Sequence, residues 1–278
     1  MVFINDILTS RNNPKVKWAA SLSNKKTRGE NRAFIAEGEK LVMEALDACL
    51  DITHIFISEK KKTEYLELIK SKSECKAFEN TEVVVVTESV FEKISTEKSP
   101  EGIICVVKYL DFLNNADIIY KEEFFSTQDE RALILCSVRD PGNLGAVIRS
   151  ATAFGVDHII LSSDSADVYN HKTIRSSMGS VFRTRVTTVP DLSAVISCAR
   201  SHGRRVYSAE LTENAVSLLD VPLCKSDVFI IGNEGHGIPE EISSLCDNSV
   251  YIPISKKTES LNAAVAAAMF MWEQSKLK

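Results

Sequence analysis

Short apolar runs separated by helical patterns dominate the second half of the sequence, and they limit it to a few folds. The runs ALILCS, DHIIL and DVFIIG contain almost no polar residues. Strands of this kind suit a parallel sheet that helices cover on both faces. The pattern therefore predicts an α/β domain over 131–278. Its predicted strands are 132–137, 157–161, 182–189, 205–210, 227–232 and 249–254, and its predicted helices are 143–154, 191–202, 239–246 and 260–276.

The first half alternates in the same way on a smaller scale. Its pattern predicts a compact α/β domain of about 110 residues, with strands at 32–38, 52–58, 83–86 and 102–109 and helices at 13–24, 38–49, 61–72 and 89–95. Residues 111–130 are mixed and charged, and we expect them to form a linker. The predicted organisation is therefore a domain over 1–110, a linker and a second domain.

Charge is distributed unevenly along the chain. Residues 1–40 contain eight Lys and Arg against four Asp and Glu, a net +4, which leaves −9 for the rest of a chain whose total is −5. The total charge argues against a wholly basic nucleic-acid binder. A basic amino-terminal segment on an acidic protein nevertheless indicates a polyanionic partner, although a solvated surface would look the same.

Cysteine and histidine spacing argues against metal and disulfide chemistry. The seven cysteines are scattered without a C-x-x-C pair, and the five histidines have no metal-ligand spacing. We therefore expect no metal site and a reducing, cytoplasmic location. No apolar run approaches about 20 residues, so neither export nor a membrane span is expected.

The segment CSVRDPGNLGAVIRS places a turn at the end of the strand ALIL. Ligands bind beyond the carboxyl ends of strands in open parallel sheets. Asn143 is a candidate cap for the following helix, whose free N–H groups favour anions, and Gly155 is a candidate for its other end. Arg149 points roughly 160° away from the apolar stripe of this helix, at about 100° per residue. From this spacing alone, a solvated arginine and a functional one are equally good interpretations.

A second segment, VFIIGNEGHGIPEEI, runs from an apolar strand into a glycine-rich turn. Gly232, Gly235 and Gly237 allow backbone to approach a ligand closely. Pro239 suits the first turn of a helix, and acidic residues after it favour the positive helix end. A tight structural turn would have the same composition.

The third segment, YIPISKKTESLNAAVAAAMFMWEQ, ends in ten consecutive residues without a polar side chain, Ala263–Trp272. Ser260 is a candidate cap for this helix. A helix that is apolar all round must be buried on nearly every side, but this one is too short to span a bilayer. The helix is therefore either threaded into the core or covered by a second subunit.

Nucleotide-binding loops offer an alternative to this site. The pattern G-x-x-x-x-G-K-[ST] is absent, and G-x-G-x-x-G is also absent from the first turn. Asp164 does lie about where a ribose-binding acid of a dinucleotide fold would lie. A nicotinamide enzyme thus remains a weak competitor.

The order of the three segments is more specific than any one of them. N-x-G-x-x-x-R is followed by G-N-E-G-x-G-I-P and then by I-P-I…S-L-N-A-A. In residues 130–278 the chain resembles the SpoU/TrmH family of RNA ribose methyltransferases in the SPOUT superfamily, and RSSMGSVFR (175–183) matches that family too. SRNNPKVKWAASL and FIAEGEKLVMEAL resemble, more loosely, the ribosomal-protein-like substrate-binding domain of many members.

The resemblance implies a fold and a cofactor. Members carry a carboxyl-terminal trefoil knot, which would explain the apolar helix, and bind S-adenosylmethionine in it largely through backbone groups. The implied fold is an amino-terminal small α/β RNA-binding domain followed by a carboxyl-terminal parallel-sheet α/β domain with this knot. The implied cofactor-binding residues are Ile231, Gly232, Asn233, Gly235, Ile252, Ile254, Leu261 and Ala264.

The resemblance also implies residues for the reaction, which is methylation of a ribose 2′-hydroxyl. Arg149 matches the family's catalytic arginine, either as a base or as a charged group that holds phosphate and stabilises the forming alkoxide. Arginine stays protonated in proteins, which favours the second role. The matching polar residues are Asn143, Glu234, Ser260 and Asn262, which we assign to substrate binding and loop anchoring, Glu234 as an anchor rather than a cofactor ligand.

The implied partners are RNA and a second copy of the chain in a homodimer. The two-domain layout favours large-subunit ribosomal RNA as the substrate. RNA phosphates would be contacted by the cationic residues Arg11, Lys15, Lys17, Lys25, Lys26, Arg28 and Arg32. Three alternatives stay open: a tRNA 2′-O-methyltransferase, a base-methylating relative, which the motif residues disfavour, and an RNA-binding protein without activity.

Overall fold

The computed structural model describes residues 1–72, 75–110, 125, 129–233 and 235–277, and only the backbone of Asn5 and Lys76. These residues form two compact units. The first unit contains Met1–Leu110 and Tyr169–Phe182, and the second unit contains Asp111–Val168 and Arg183–Lys278.

The first unit is built on a mixed five-stranded sheet. The sheet order is β1-β4-β3-β5-β2, in which β5 runs antiparallel to both of its neighbours. The elements are β1 Val2–Leu8, α1 Pro14–Ser21, α2 Lys25–Asn31, β2 Ala33–Glu37, α3 Glu39–Asp47, β3 Ile52–Ser58, α4 Lys62–Lys70, β4 Glu82–Val86, α5 Glu88–Ile94 and β5 Ile103–Lys108.

Most predicted elements of this unit are present, with two corrections. The helix predicted over 13–24 ends at Ser21, and a second helix begins at Lys25 because the Asn24 side chain accepts a hydrogen bond from Lys26 N and caps it. Strand β1 was not predicted, because polar Asn5 and Asp6 interrupt its apolar pattern. β1 is an edge strand, where one polar face is tolerated.

A stretch from the second half of the sequence completes the first unit. It contains α7, His171–Ser177. The Tyr169 ring stacks on Tyr109 at 3.8 Å and lies 4.9 Å from Phe34, and its hydroxyl accepts a hydrogen bond from Leu110 N at 3.0 Å. Arg175 forms an ion pair with Glu97. The core of this unit therefore depends on residues far apart in the chain.

The second unit is a seven-stranded sheet in which all the pairings are parallel. The order is β10-β12-β9-β11-β6-β7-β8. The elements are β6 Ala132–Leu135, α6 Pro141–Phe154, β7 His158–Ser162, β8 Arg185–Val189, α8 Leu192–Ser201, β9 Val206–Ala209, β10 Val216–Ser217, β11 Val228–Ile231, α9 Glu240–Ser243, β12 Asn248–Tyr251 and α10 Ala263–Ser275.

The central strands of this sheet are apolar for the reason the sequence indicates. All residues of β6 and β11 are buried, and helix α10 packs on α6 and β11. The α/β class and the parallel sheet are therefore confirmed. The short strand β10 and helix α7 were not predicted, because both are too short to show a clear period.

The predicted linker lies mostly outside the described residues. Of 111–130, the structure describes Phe125, Asp129 and Glu130. Phe125 is buried and belongs to the hydrophobic core of the second unit, which also contains Ile196 and Val228. Among the described residues, no helix is long and apolar enough to cross a membrane.

Candidate active site at the carboxyl edge of the parallel sheet

Three loops meet at the carboxyl edge of the parallel sheet because β6, β7 and β11 run in the same direction side by side. They follow Leu135, Ser162 and Ile231. The Cys136 N–H donates to the Ile231 carbonyl at 2.8 Å, so β6 and β11 remain paired up to the edge. The first two sequence segments, which follow β6 and β11, therefore lie side by side at this edge of the sheet.

Asp164 ties two of these loops together. Its carboxylate accepts hydrogen bonds from the hydroxyls of Ser162 and Ser137, both at 2.7 Å, and from the Arg139 guanidinium at 2.9 Å. The Ser162 hydroxyl also accepts from Ser137 N at 2.8 Å. The bonds from Ser162, Ser137 and Arg139 hold the pKa of Asp164 down to about 2. Its charge therefore persists at any physiological pH.

Asn233 connects this network to the glycine-rich turn. Its side-chain amide donates to the Ser137 carbonyl at 2.9 Å, and its side-chain oxygen accepts from Gly235 N at 2.8 Å. Asn233 and Gly237 also exchange backbone hydrogen bonds at 3.1 and 2.9 Å. A chain of hydrogen bonds therefore runs from Asp164 through Ser137 to the 233–237 turn.

Gly232 has a steric role in this turn. A Cβ atom there would lie 2.5 Å from the carbonyl carbon of Gly237, which is closer than real contacts allow. At Gly235, a Cβ would meet only the Asn233 side-chain oxygen, at 3.4 Å. The turn therefore requires glycine at 232 and tolerates a side chain at 235.

A cavity of about 250 Å³ opens beside the turn. Its walls combine aliphatic side chains, glycine backbone and a few polar groups, in the proportions common to small-molecule sites. It is lined by Ala209, Glu210, Leu211, Ile231, Gly232, Asn233, Gly237, Val250, Tyr251, Ile252, Ile254, Glu259, Ser260, Leu261, Ala263, Ala266 and Phe270. The second and third sequence segments thus form one concave surface.

A hydrogen bond between two side chains joins the first segment to the third. The Asn262 amide donates to the Asn143 side-chain oxygen at 3.0 Å. The Asn262 side-chain oxygen accepts from Ala264 N and Val265 N and caps α10. Asn262, rather than Ser260, is therefore the cap of this helix.

The cap of α6 also differs from the prediction. Asp140 caps the helix by accepting from Asn143 N at 2.9 Å, and Asn143 lies in the first turn. Its side chain is therefore available to Asn262. Gly155 does end the helix in the left-handed conformation, with φ 69°.

The structure brings together most, but not all, of the predicted site residues. Six of the predicted cofactor residues line the cavity: Ile231, Gly232, Asn233, Ile252, Ile254 and Leu261. Gly235 and Ala264 do not line it, but each is within two residues of one that does. Ser260 lines the cavity too. Glu234 lies outside the described residues. Arg149 is exposed on α6 and does not line the cavity of its own chain.

The predicted RNA-contacting residues lie in the first unit and differ in solvent exposure and in the partners they already have. Arg11, Lys17, Lys25, Lys26 and Arg32 are exposed. Lys15 forms an ion pair with Glu82. Arg28 is only 3% exposed, and its guanidinium donates to the carbonyls of Leu22 and Ser23. The Arg28 side chain therefore stabilises the α1–α2 connection and is unsuited to bind phosphate.

Sequence reasoning missed Ser137, Ser162 and the anchoring role of Asp164. Asp164 stood out only as a candidate ribose-binding acid, and its three donors occupy that carboxylate instead. The one signal in the sequence is a serine at the end of each of two predicted strands: Ser137 is the last residue of 132–137, and Ser162 directly follows 157–161. No cluster of His, Cys, Asp and Glu that could hold a metal occurs among the described residues.

Comparison with known proteins agrees with this arrangement. The SpoU rRNA Methylase family matches residues 130–272, and the MRM3-like substrate binding domain matches residues 13–105. The 23S rRNA (guanosine(2553)-2'-O)-methyltransferase RlmP of Bacillus subtilis is 31% identical over 95% of this chain and 97% of its own. The 23S rRNA (uridine(2479)-2'-O)-methyltransferase of Streptomyces viridochromogenes is 28% identical over 96% and 90%.

A solved structure extends the likeness to three dimensions. The AdoMet-bound rRNA methyltransferase from Sinorhizobium meliloti has a TM-score of 0.83 and 29% identity, covering 98% of this chain and 97% of its own. The fold and the edge site define an α/β RNA methyltransferase. The chain belongs to the SpoU rRNA Methylase family and carries an MRM3-like substrate-binding domain.

Proposed function

We propose that this protein transfers a methyl group from S-adenosylmethionine to a ribose 2′-hydroxyl of 23S ribosomal RNA. The observation that carries the proposal is the meeting of three distant segments at one edge: the Asn143–Asn262 bond and the cavity shared by the 231–237 turn and the 252–261 segment. Family membership and the two 2′-O-methyltransferases similar over nearly the whole chain support it.

The cavity fits the cofactor. Ile231, Ile252, Leu261 and Phe270 provide an apolar slot for an adenine ring. β12 ends at Tyr251, so the backbone groups of 252–254 leave the sheet and are available for hydrogen bonds to the base. We assign Ile231, Gly232, Asn233, Gly235, Ile252, Ile254, Leu261 and Ala264 to cofactor binding. When bound, the cofactor supplies an electrophilic methyl group on a sulfonium.

The chain's own residues position and polarise the RNA. Asn143 and Asn262 hold the start of α6 against the start of α10, next to Ser260 at the cavity wall. The exposed Arg149 guanidinium provides paired donors for the phosphate beside the target ribose and stabilises negative charge on the 2′-oxygen. Glu234 is assigned to anchoring the turn.

A trefoil knot is part of the proposal. Its support is the path of the chain: β12 lies beyond β9, and the chain then returns past the 231–237 turn so that α10 packs on α6 and β11. A crystal structure traced without a break through 228–277 would test the threading. An unthreaded path would overturn it.

A homodimer is proposed from the exposed face of α10. The sequence predicts burial on nearly every side, but Val265, Met269 and Trp272 are 49%, 40% and 52% exposed and lie on one stripe. Ala146 and Ser150 of α6 border the same groove. A second copy would cover this stripe. Trp272→Glu should convert the dimer to a monomer in light scattering, and a wild-type monomer would contradict the proposal.

The first unit is proposed as the RNA-binding part of the protein. Its exposed cations Arg11, Lys17, Lys25, Lys26 and Arg32, with Lys15 at their margin, would contact phosphates. We propose 1–110 as the RNA-binding domain and 131–278 as the methyltransferase domain, joined by 111–130, with the exception that Tyr169–Phe182 packs in the first unit. We also propose a cytoplasmic location, which suits the free thiols among the described cysteines.

Mapping of 2′-O-methyl groups tests the activity. Ribosomal and transfer RNA from cells with and without the gene are compared, and purified protein with S-adenosylmethionine is added to RNA from the deletion strain. One ribose in 23S RNA should lose its methyl group in the deletion and regain it in vitro. A change confined to tRNA would move the substrate to tRNA, and methylation of a base would overturn the ribose assignment.

A further inference from the structure

The second unit is acidic, although it contains the proposed reaction site. Its sequence carries 14 Lys and Arg against 21 Asp and Glu. Such a surface repels RNA at long range. A cation of this unit that has no carboxylate partner therefore remains available to attract RNA phosphates.

Most cations of the second unit are already engaged. Six form ion pairs: Arg139 with Asp164, Arg185 with Glu130, Arg200 with Asp247, Arg205 with Asp227, Lys225 with Asp129 and Lys276 with Glu273. Arg131 donates to the carbonyls of Phe154 and Leu277, and buried Arg204 donates to that of Glu130. Arg183 has an interaction of its own.

Lys256 and Lys257 differ from these cations. Both are exposed, and neither has a carboxylate within 4 Å among the residues that the structure describes. Arg149, which we have already assigned to the reaction, is likewise exposed and has no carboxylate within 4 Å among the described residues. The two lysines thus share this condition with the proposed catalytic arginine.

The two lysines lie on a turn that hydrogen bonds fix in place. Thr258 N donates to the Ser255 carbonyl at 3.2 Å, and Lys257 N donates to the Ser255 hydroxyl at 3.3 Å. The Thr258 hydroxyl donates to the Ser260 carbonyl at 3.2 Å. Ile254 before the turn and Glu259 after it both line the cofactor cavity. The turn that carries the two lysines therefore lies between two residues that line the cavity.

We propose that Lys256 and Lys257 bind RNA phosphates beside the target ribose and hold that nucleotide at the cavity mouth. The inference rests on the proposed function, since it requires RNA as the substrate. An ammonium group is a point charge that contacts phosphate without reading a base. The pair would hold the substrate strand near the reaction, and the first unit would bind the rest of the RNA.

The salt dependence of RNA use tests the pair. The kcat/KM for an unmodified 23S rRNA transcript is measured against KCl concentration for wild type and for Lys256→Ala/Lys257→Ala. Each lost phosphate contact on a single strand removes about 0.7 from the slope of log affinity against log salt. We expect the slope to fall by up to about 1.4, the RNA KM to rise about tenfold, and S-adenosylmethionine affinity to stay unchanged.

The chain offers a matched control. Lys60 and Lys61 are also adjacent, but they pair with Glu88 at 3.5 Å and Glu64 at 2.8 Å. Lys60→Ala/Lys61→Ala should leave the slope unchanged, whereas Lys256→Arg/Lys257→Arg should keep the wild-type slope. Equal slopes for Lys256→Ala/Lys257→Ala and wild type would overturn the inference.

Three outcomes distinguish failure of this inference from failure of the proposed function. Weakened S-adenosylmethionine binding with an unchanged RNA slope would assign the lysines to the cofactor carboxylate and overturn RNA contact. A wild-type protein that binds the cofactor but methylates no ribose in the transcript would contradict the proposed function itself. An active wild type with an unaffected variant would contradict the lysine inference alone.

Discussion

The two units handle charge in opposite ways. The first unit leaves cations on its amino-terminal helices exposed, with Lys17, Lys25 and Arg32 facing solvent. The second unit neutralises most of its cations with carboxylates or buried carbonyls. Among the cations that the structure describes in this unit, Arg149, Lys256 and Lys257 are exposed and have no carboxylate within 4 Å.

This difference indicates a division of labour. Under the proposed function, exposed cations on the first unit would supply affinity for RNA that depends on salt but not on sequence. The second unit fixes its strand ends with hydrogen bonds, as a site that must hold reacting atoms in position requires. Substitutions in the second unit should then change turnover or cofactor binding, and those in the first unit should change RNA affinity.

Replacement of Arg149 should have the largest effect. Arg149→Ala should lower kcat by about a thousandfold, as expected when a group that stabilises developing charge is lost. The affinity for S-adenosylmethionine should stay unchanged, because Arg149 does not line the cavity. Arg200→Ala serves as a control, since Arg200 lies outside the site and is paired with Asp247. Normal turnover by Arg149→Ala would refute its role.

Acid should destabilise the second unit through His158. Burial, with a smaller contribution from Arg185, lowers the pKa of His158 to about 4 from an ordinary 6.5. The unfolded chain takes up the proton first, so the stabilisation is complete above pH 6.5 and is lost as pH falls toward 4. Over this range the free energy of unfolding should drop by about 3 kcal/mol.

Comparison of wild type with a His158 variant separates the contribution of His158 to the pH dependence of stability from that of other groups. Urea unfolding of wild type and His158→Gln at pH 7, 5.5 and 4.5 should show a steeper loss for wild type. His171→Gln, which changes an exposed histidine, should follow wild type. Parallel curves for wild type and His158→Gln would contradict the buried neutral histidine.

The glycine turn permits a paired test inside the second unit. Gly232→Ala places a Cβ 2.5 Å from the Gly237 backbone, whereas Gly235→Ala places one 3.4 Å from a side-chain oxygen. Calorimetry should show S-adenosylmethionine affinity weakened about thirtyfold by the first change, roughly 2 kcal/mol. The second change should have little effect. Equal affinities for the two variants would remove the turn from the cofactor site.

The Asp164 network should contribute less. Asp164→Asn loses the charge that holds Ser137, Ser162 and Arg139, and we expect S-adenosylmethionine affinity to fall about fivefold, near 1 kcal/mol. Ser137→Ala should not add to this loss if the Ser137 hydroxyl acts through Asp164. Glu130→Gln breaks the ion pair with Arg185 near the amino end of β6, away from the site, and this variant should bind S-adenosylmethionine normally. Full additivity of the first two changes would argue against a connected network.

The smallest effect is expected in the first unit. Lys17→Ala/Lys25→Ala should raise the RNA KM a few-fold and leave kcat at saturating RNA unchanged. Lys72→Ala/Lys108→Ala, whose ammonium groups pair with Asp47 and Asp51, should match wild type. A fall in kcat without a change in KM would contradict the division of labour between the two units.

Regular periodicity made much of the second unit predictable. The strands at β6, β7 and β11 and the helices α6, α8 and α10 lie within a few residues of their predicted positions. Short or edge elements were missed: β1, α7 and β10 are too brief or too polar for a period to stand out. Asn143 and Ser260 were both plausible caps, but Asp140 and Asn262 fill those positions.

The sequence by itself determined the family, the parallel sheet and the three segments of the candidate site, because local periodicity and motif order are properties of contiguous residues. Only the tertiary structure decided how individual side chains are used. Arg28 is buried while Lys17 is exposed, Asp164 is an anchor, and Lys256 and Lys257 have no carboxylate partner in the part of the chain that the structure describes. These outcomes depend on which distant groups the fold brings within hydrogen-bonding distance, and no short stretch of sequence carries that information.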